Sequence, residues 1–141
     1  MIRAATPHDL VAIAEIERNE PMGSQWSLAQ LSAELTNPKA VFVVAEINDS
    51  CAGYALAWRI LDEIEIMTIA VAEPYRQQGI GRALLEFLLR SPEVRTAFLE
   101  LRESNQAARS LYRSTGFEKT GTRRNYYRNG EHAILMRKEC P

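Results

Sequence analysis

An apolar run that turns into an amphipathic helix through paired glycines constrains this chain more than any other feature. Ile64-Glu65-Ile66-Met67-Thr68-Ile69-Ala70-Val71 reads as a strand. Tyr75-Arg76-Gln77-Gln78-Gly79-Ile80-Gly81-Arg82 follows, and Ile80, Ala83, Leu84, Phe87 and Leu88 then recur at helical spacing as one buried face. Glycines at a strand-to-helix turn let the backbone approach a ligand closely. The first turn of the helix adds unpaired N–H groups and about half a positive charge. Such a turn holds a phosphate without a basic side chain, although Arg76 and Arg82 are near enough in sequence to add one. A plain glycine turn is the competing reading, and the order strand, paired glycines, helix weighs against it.

Two phosphate-binding patterns fit less well. A Walker loop requires Gly-Lys-Ser/Thr, which does not follow. A dinucleotide fingerprint has more support, since Gly79-x-Gly81 opens a helix and Glu100 lies about 20 residues on. Its third glycine position, however, holds Leu84, and the chain lacks repeated strand–helix–strand units.

The remaining sequence places this unit in a mixed α+β domain. With 141 residues the expectation is a single domain over 1–141 with a real core. Ile2 to Ala5 reads as a short strand, and Thr6-Pro7-His8-Asp9 as a helix start that buries Leu10, Ile13 and Ala14. Ser27-x-x-Gln30 is a capping box that leads into Leu28, Leu31 and Leu35 and stops at Asn37-Pro38. The loop from Asn19 to Trp26 offers Met22 and Trp26 either as a binding lip or as core cover. Strands at Val41 to Ile47 and Ala52 to Leu61 are joined by Asn48-Asp49-Ser50. The helix after the glycine loop ends at Ser91-Pro92, and Ala97 to Arg102 then forms a strand parallel to the first. Asn105 to Ser114 is a short helix closed by Gly116, and two last strands turn at Asn129-Gly130.

Charge and cysteine content narrow the functions. A net charge of -1 argues against bulk electrostatic binding of nucleic acid. Two cysteines and two histidines, scattered along the chain, suggest neither a disulfide framework nor a metal site. No long apolar stretch and no basic-then-apolar start is present, so a cytoplasmic protein without a membrane partner is expected, with a monomer favoured.

Glu100 interrupts the apolar strand 97–102 on the face it shares with Phe98 and Arg102. A solvated strand face with a Glu100/Arg102 pair is one reading. A functional carboxylate is the other, because ligands favour the carboxyl ends of parallel strands. Tyr112 lies seven positions after Asn105, two helical turns, so both project from one face.

Arg76-Gln77-Gln78-Gly79-Ile80-Gly81 resembles the pyrophosphate loop of the GNAT acetyltransferases, which bind acetyl-CoA. Ile69-Ala70-Val71, Leu99 to Asn105, Leu111-Tyr112 with Gly116-Phe117, and Arg123-Arg124-Asn125-Tyr126-Tyr127 are together similar to the RimI family of bacterial ribosomal-protein N-terminal alanine acetyltransferases. The resemblance spans nearly the whole chain. It implies the GNAT fold, a mixed, mostly antiparallel sheet with a V-shaped parallel strand pair flanked by helices.

For the cofactor, acetyl-CoA, the resemblance implies main-chain contacts from Ile69, Ala70 and Val71. It further implies a pyrophosphate grip by Arg76, Gln77, Gln78, Gly79, Ile80, Gly81 and Arg82, with a contact from Asn105 and no metal. Glu100 is implied as proton acceptor and Tyr112 as proton donor to the departing thiolate. A phenol near pKa 10 is able to protonate a thiolate whose thiol lies near 8.5. On the acceptor side the resemblance implies Trp26, Arg124, Tyr126 and Tyr127. Their partner would be the N-terminal segment of a small-subunit ribosomal protein that begins with alanine.

A free glutamate, near 4.3, is a poor base unless burial or a relaying water helps it, so a carboxylate in this role suits an α-amine near 8 better than a lysine near 10.4, which costs roughly 3 kcal/mol more to deprotonate. The chain departs from the family pattern at Gln25 and Thr68, which border the acceptor side, and in the short link Ser91 to Val94. A GNAT enzyme acting on lysine or a small amine, and a non-catalytic CoA-binding module, are the competing readings. A base and an acid both in place disfavour the second.

Overall fold

The computed structural model describes residues 1–20 and 26–140. In chain order it contains strand β1 (Ile2–Ala4), a 3-10 turn (Pro7–Asp9) running into helix α1 (Leu10–Arg18), and helix α2 (Leu28–Glu34). Strands β2 (Ala40–Ile47), β3 (Ser50–Ile60) and β4 (Glu63–Val71) follow. After a second 3-10 turn (Glu73–Tyr75) come helix α3 (Ile80–Leu89), strand β5 (Thr96–Arg102), helix α4 (Gln106–Ser114), and strands β6 (Glu118–Arg123) and β7 (Ala133–Glu139). One seven-stranded sheet runs in the order β1-β2-β3-β4-β5-β7-β6. Every neighbouring pair is antiparallel except β4 and β5. That pair needs the crossover that α3 provides.

Local chemistry sets the ends of these elements. Ser27 Oγ accepts from the Gln30 N–H at 3.1 Å, and Gln30 Oε1 accepts from the Ser27 N–H at 2.8 Å, closing the capping box of α2. Asn48 and Asp49 both take left-handed φ, 51° and 63°, between paired Ile47 and Ser50. This makes the β2–β3 connection a two-residue hairpin. Helix α4 ends on Gly116 at φ 103°, where the Phe117 N–H reaches the Tyr112 carbonyl at 3.0 Å.

The sheet is covered on both faces. Leu84, Leu85 and Leu88 of α3, with Tyr112 of α4 and Phe117, pack on Ile64, Ile66, Leu99 and Leu101. Ile13 and Ile16 of α1, with Leu31 of α2, pack on Phe42, Val44, Tyr54, Leu56 and Ala70. Each such fully buried side chain contributes about 1.5–3 kcal/mol, so the amphipathic helices are held by the sheet they cover.

Three expectations need correction. Ala83 is exposed rather than part of the buried face of α3, and Leu85 is fully buried there instead. The last hairpin does not turn tightly at Asn129-Gly130. Arg123 pairs with Ala133, so residues 124–132 form a long loop, and the turn at Gly130 (φ 84°, N–H to the Tyr127 carbonyl at 2.9 Å) is only its tip. Tyr126 and Tyr127 therefore stand on this loop and not on a strand edge. Residues 21–25, including Met22 and Gln25, lie outside the described residues. Among the described residues no helix is long and apolar enough to cross a membrane.

Candidate active site

The site begins where two strands part. Parallel pairing of β4 with β5 runs from Glu63 with Thr96 to Ile66 with Leu99 and ends there. Beyond it, β4 continues only on β3 and β5 only on β7. A bulge marks the point of separation. The β3–β4 register passes from Leu56 with Thr68 to Ala57 with Ile66, so Met67 is the extra residue. A bulge bends its strand and reverses the alternation of side chains. Ile64 and Ile66 face the α3–α4 layer, and past the bulge so does Ile69, whereas Met67 and Ala70 face α1 and α2.

The bent end of β4 aims main-chain groups into the gap. The Ala72 N–H donates to the Ala52 carbonyl of β3 at 2.8 Å. Successive residues alternate sides, so Ala70 also faces β3, while Ile69 and Val71 present N–H and C=O on the open side. Two contacts agree with this assignment. The Val71 carbonyl accepts from Arg76 Nε at 3.0 Å, and the Ala70 oxygen lies so close to β3 that a Cβ at Gly53 would stand 2.8 Å from it. Ile69 and the N–H of Val71 thus offer edge groups that a strand-like ligand would pair with, while the Val71 carbonyl is held by Arg76 and the main chain of Ala70 is used by the sheet.

The glycine loop continues from this edge. Gln77 and Gly79 take left-handed φ, 64° and 82°, and Gly79 caps α3, whose first helical bond joins the Ala83 N–H to the Gly79 carbonyl at 3.0 Å. The N–H groups of Ile80, Gly81 and Arg82 consequently lack partners within the helix. Arg76 braces the loop rather than standing clear: besides Val71 it reaches Glu20 of the α1 end at 3.5 Å. Gln78 donates to the Pro74 carbonyl at 3.3 Å, and Arg82 donates to Ser114 Oγ at 2.7 Å.

Glu100 lies on β5 just past the last paired residue, on the face turned away from the Leu99 and Leu101 core. It pairs with Arg123 at 3.3 Å, not with Arg102 as the bland reading supposed; Arg102 pairs with Glu131 at 3.5 Å. Tyr112 is buried on α4, edge-on to Phe117 with ring centroids 5.6 Å apart. Burial alone pushes its phenol well above the ordinary tyrosine value, so it stays protonated at neutral pH. It holds a proton that it is able to give, as a weaker acid than a free phenol. Asn105 caps α4, its Oδ1 accepting from the Ala108 N–H at 3.2 Å, which leaves the Nδ2 donors for a ligand.

A cleft of about 930 Å³ opens beside Glu100, and Trp26, Tyr126 and Tyr127 line it together with Gln30, Glu65, Ile66, Met67, Arg102, Arg128 and Asn129. The two tyrosine rings stand edge to face, 5.2 Å between centroids at 84°. The Arg102 guanidinium lies over Tyr127 at 4.1 Å and that of Arg123 over Tyr126 at 5.4 Å. Glu131 and His132 fasten the loop that carries the tyrosines. Glu131 accepts from the Ser104 N–H at 2.6 Å, and hydrogen bonding from the Ser104 side chain together with this N–H holds its carboxyl below the usual range, while His132 Nδ1 accepts from the Asn125 N–H at 2.9 Å. Arg124 is exposed on the same loop, outside the cleft lining.

Trp26, Glu100, Tyr126 and Tyr127, separated by up to about a hundred positions in the chain, thus share one cavity, and the main-chain edge of Ile69 and Val71 leads from it to the glycine loop. Glu65, Met67, Arg102 and Arg128 are lining residues that sequence reasoning missed. Strand alternation could have found Glu65, which pairs with Phe98 across the parallel ladder and so shares the face of Glu100. Among the described residues no three His, Cys, Asp or Glu side chains gather as metal ligands.

Comparison with known proteins bears on this arrangement. Residues 9–117 match the model of the acetyltransferase (GNAT) family. The chain is 38% identical over 144 residues to N-alpha-acetyltransferase RimI of Mycobacterium tuberculosis, covering 98% of itself and 91% of that protein. To an uncharacterized protein of Mycobacterium leprae it is 39% identical over 146 residues, but it spans only 41% of that longer relative. The crystal structure of the ribosomal-protein-S18-alanine N-acetyltransferase of Escherichia coli matches with a TM-score of 0.90 at 35% identity, over 99% of this chain and 93% of that one. Since the matched residues 9–117 take in the bulged strand, the glycine loop, Glu100 and Tyr112, this chain belongs to the GNAT acetyltransferase family.

Proposed function

We propose that this protein is an acetyl-CoA-dependent N-α-acetyltransferase that acts on the N-terminal alanine of a small-subunit ribosomal protein, by direct transfer in a ternary complex. The observation that carries the proposal is the end of β4–β5 pairing at Ile66 and Leu99. It puts a carboxylate, Glu100, at the junction of a main-chain ligand edge and an aromatic cleft. The names of the M. tuberculosis relative and the E. coli structure support the same acceptor chemistry.

The residues present fit acetyl-CoA. Open-side amides at Ile69 and Val71 suit the amide-bearing arm, as a peptide suits a sheet edge. The left-handed turn and bare helix start at Ile80, Gly81 and Arg82 suit a diphosphate. When bound, acetyl-CoA supplies the activated acetyl thioester. Glu100 takes the proton of the incoming ammonium, directly or through a water, and an α-amine near pKa 8 makes that demand smaller than a lysine would. Tyr112, kept protonated by burial, gives its proton to the sulfur that leaves. An open-side N–H of β4 polarises the carbonyl under attack. Trp26, Tyr126 and Tyr127 hold the residues that follow the first alanine.

Three peptides, each containing an internal lysine, test the acceptor: one starting with Ala, one starting with Leu, and one blocked at the N-terminus. The Ala peptide should be acetylated fastest, at its α-amine, and shortening it should lower turnover as well as affinity. Lysine acetylation of the blocked peptide at the rate of the free one would remove the N-terminal assignment and leave an acetyltransferase of another acceptor class.

A further inference from the structure

Each tyrosine of the acceptor loop is covered by an arginine that also reaches a carboxylate, and the two groups are held very differently. In the Arg102–Tyr127–Glu131 group both charged side chains are only 16% exposed, and Glu131 is fastened by the Ser104 N–H. In the Arg123–Tyr126–Glu100 group Arg123 is 54% exposed, and Tyr126 is half exposed at the cleft. An exposed ion pair is weak and screened, so another cation readily replaces it. The first group is part of the scaffold. The second joins a guanidinium to the one carboxylate that an incoming ammonium needs.

We infer that Arg123 is a positioning residue that stands in for the cation of the acceptor. With no acceptor bound, its guanidinium occupies the Glu100 carboxylate and the Tyr126 ring face. An α-ammonium, mostly protonated at neutral pH, offers the same charge to the same two partners and displaces the guanidinium into solvent. Once acetylated, the nitrogen is a neutral amide with no charge to hold Glu100, which passes the proton it took to solvent, and Arg123 returns to the regenerated carboxylate as the product leaves. The site therefore discriminates against its own product by charge. This inference rests on the reading of Glu100 as the proton acceptor.

Steady-state kinetics of Arg123→Gln and Arg123→Lys with the Ala-starting peptide, and inhibition by the same peptide already acetylated, test it. Arg123→Gln should lower the peptide KM about two- to fivefold and strengthen inhibition by the acetylated peptide by a similar factor, the range expected for loss of an exposed pair. The KM for acetyl-CoA should not change, and Arg123→Lys should restore both peptide values. An unchanged or raised peptide KM in Arg123→Gln, beside an inactive Glu100→Gln, would overturn the inference alone. Full activity in Glu100→Gln would overturn the reading of Glu100 and the inference with it.

Discussion

On one side of the gap between β4 and β5 the groups offered to a ligand are main chain: the Ile69 and Val71 edge and the bare amides at the start of α3. On the other side they are side chains, Glu100 from β5, Trp26 from the approach to α2, and Tyr126 and Tyr127 from the 124–132 loop. The difference teaches where each half is vulnerable. A main-chain donor survives most substitutions at its own residue and fails only when the backbone conformation changes. A side-chain group is lost in one substitution, while the fold around it stays.

The sharpest test of that contrast has the largest expected effect. Glu100→Gln and Tyr112→Phe should each lower turnover by roughly 10²–10⁴ and leave acetyl-CoA affinity near normal, as read by single-turnover rates and calorimetric titration. A parallel loss of affinity would mean that these side chains belong to the cofactor half after all.

The glycine loop tests the other half. Gly79 has φ 82° and nothing within 4 Å of a Cβ, so Gly79→Val would strain the backbone without a clash. A left-handed residue other than glycine costs about 1–2 kcal/mol, and acetyl-CoA affinity should fall roughly tenfold as the turn relaxes. At Gly81 a Cβ would meet Leu111 at 3.6 Å and Val71 at 3.8 Å, ordinary contacts, and φ is not left-handed. Gly81→Ala should therefore bind the cofactor nearly as the parent does. The two glycines look equivalent in the sequence and are not equivalent in the fold.

The smallest effect is expected at the opposite edge of the sheet, in neither half. Asp9 is buried at the start of α1, and the Arg3 guanidinium at 2.8 Å, with the Thr6 N–H at 2.8 Å, holds its carboxyl down at about 2. A carboxyl depressed in the folded state adds stability that is complete above the unfolded value of 3.8 and is lost as pH falls towards 2. Asp9→Asn should cost on the order of 1 kcal/mol near neutrality and flatten that acid limb in denaturation curves, with both substrate KM values unmoved. A change in either KM would couple this edge to the site.

Much of the layout was legible because it rests on local rules. The capping box at Ser27 and Gln30, the left-handed close of α4 at Gly116 and the glycine-capped start of α3 depend on a few neighbouring residues. Aromatic residues favour strands, and a tight turn at Asn129-Gly130 would put Tyr126 and Tyr127 on a strand edge. Here the fastening of Glu131 to Ser104 and of Asn125 to His132 holds a loop instead. Glu17 carried no sequence signal, yet it is almost fully buried and accepts a hydrogen bond from the Tyr54 hydroxyl in the α1 layer.

By itself the sequence determined the strand–glycine–helix unit and the parallel crossover, which follow from local spacing, and singled out Glu100, Asn105 and Tyr112 through a family resemblance. Tertiary structure decided that β4 and β5 part after Ile66 and Leu99, that Met67 bulges there, and that Arg123 rather than Arg102 meets Glu100. Pairing register and the approach of distant loops depend on how the strands and helices of the described residues share their cores. No short stretch of the chain encodes that shared packing.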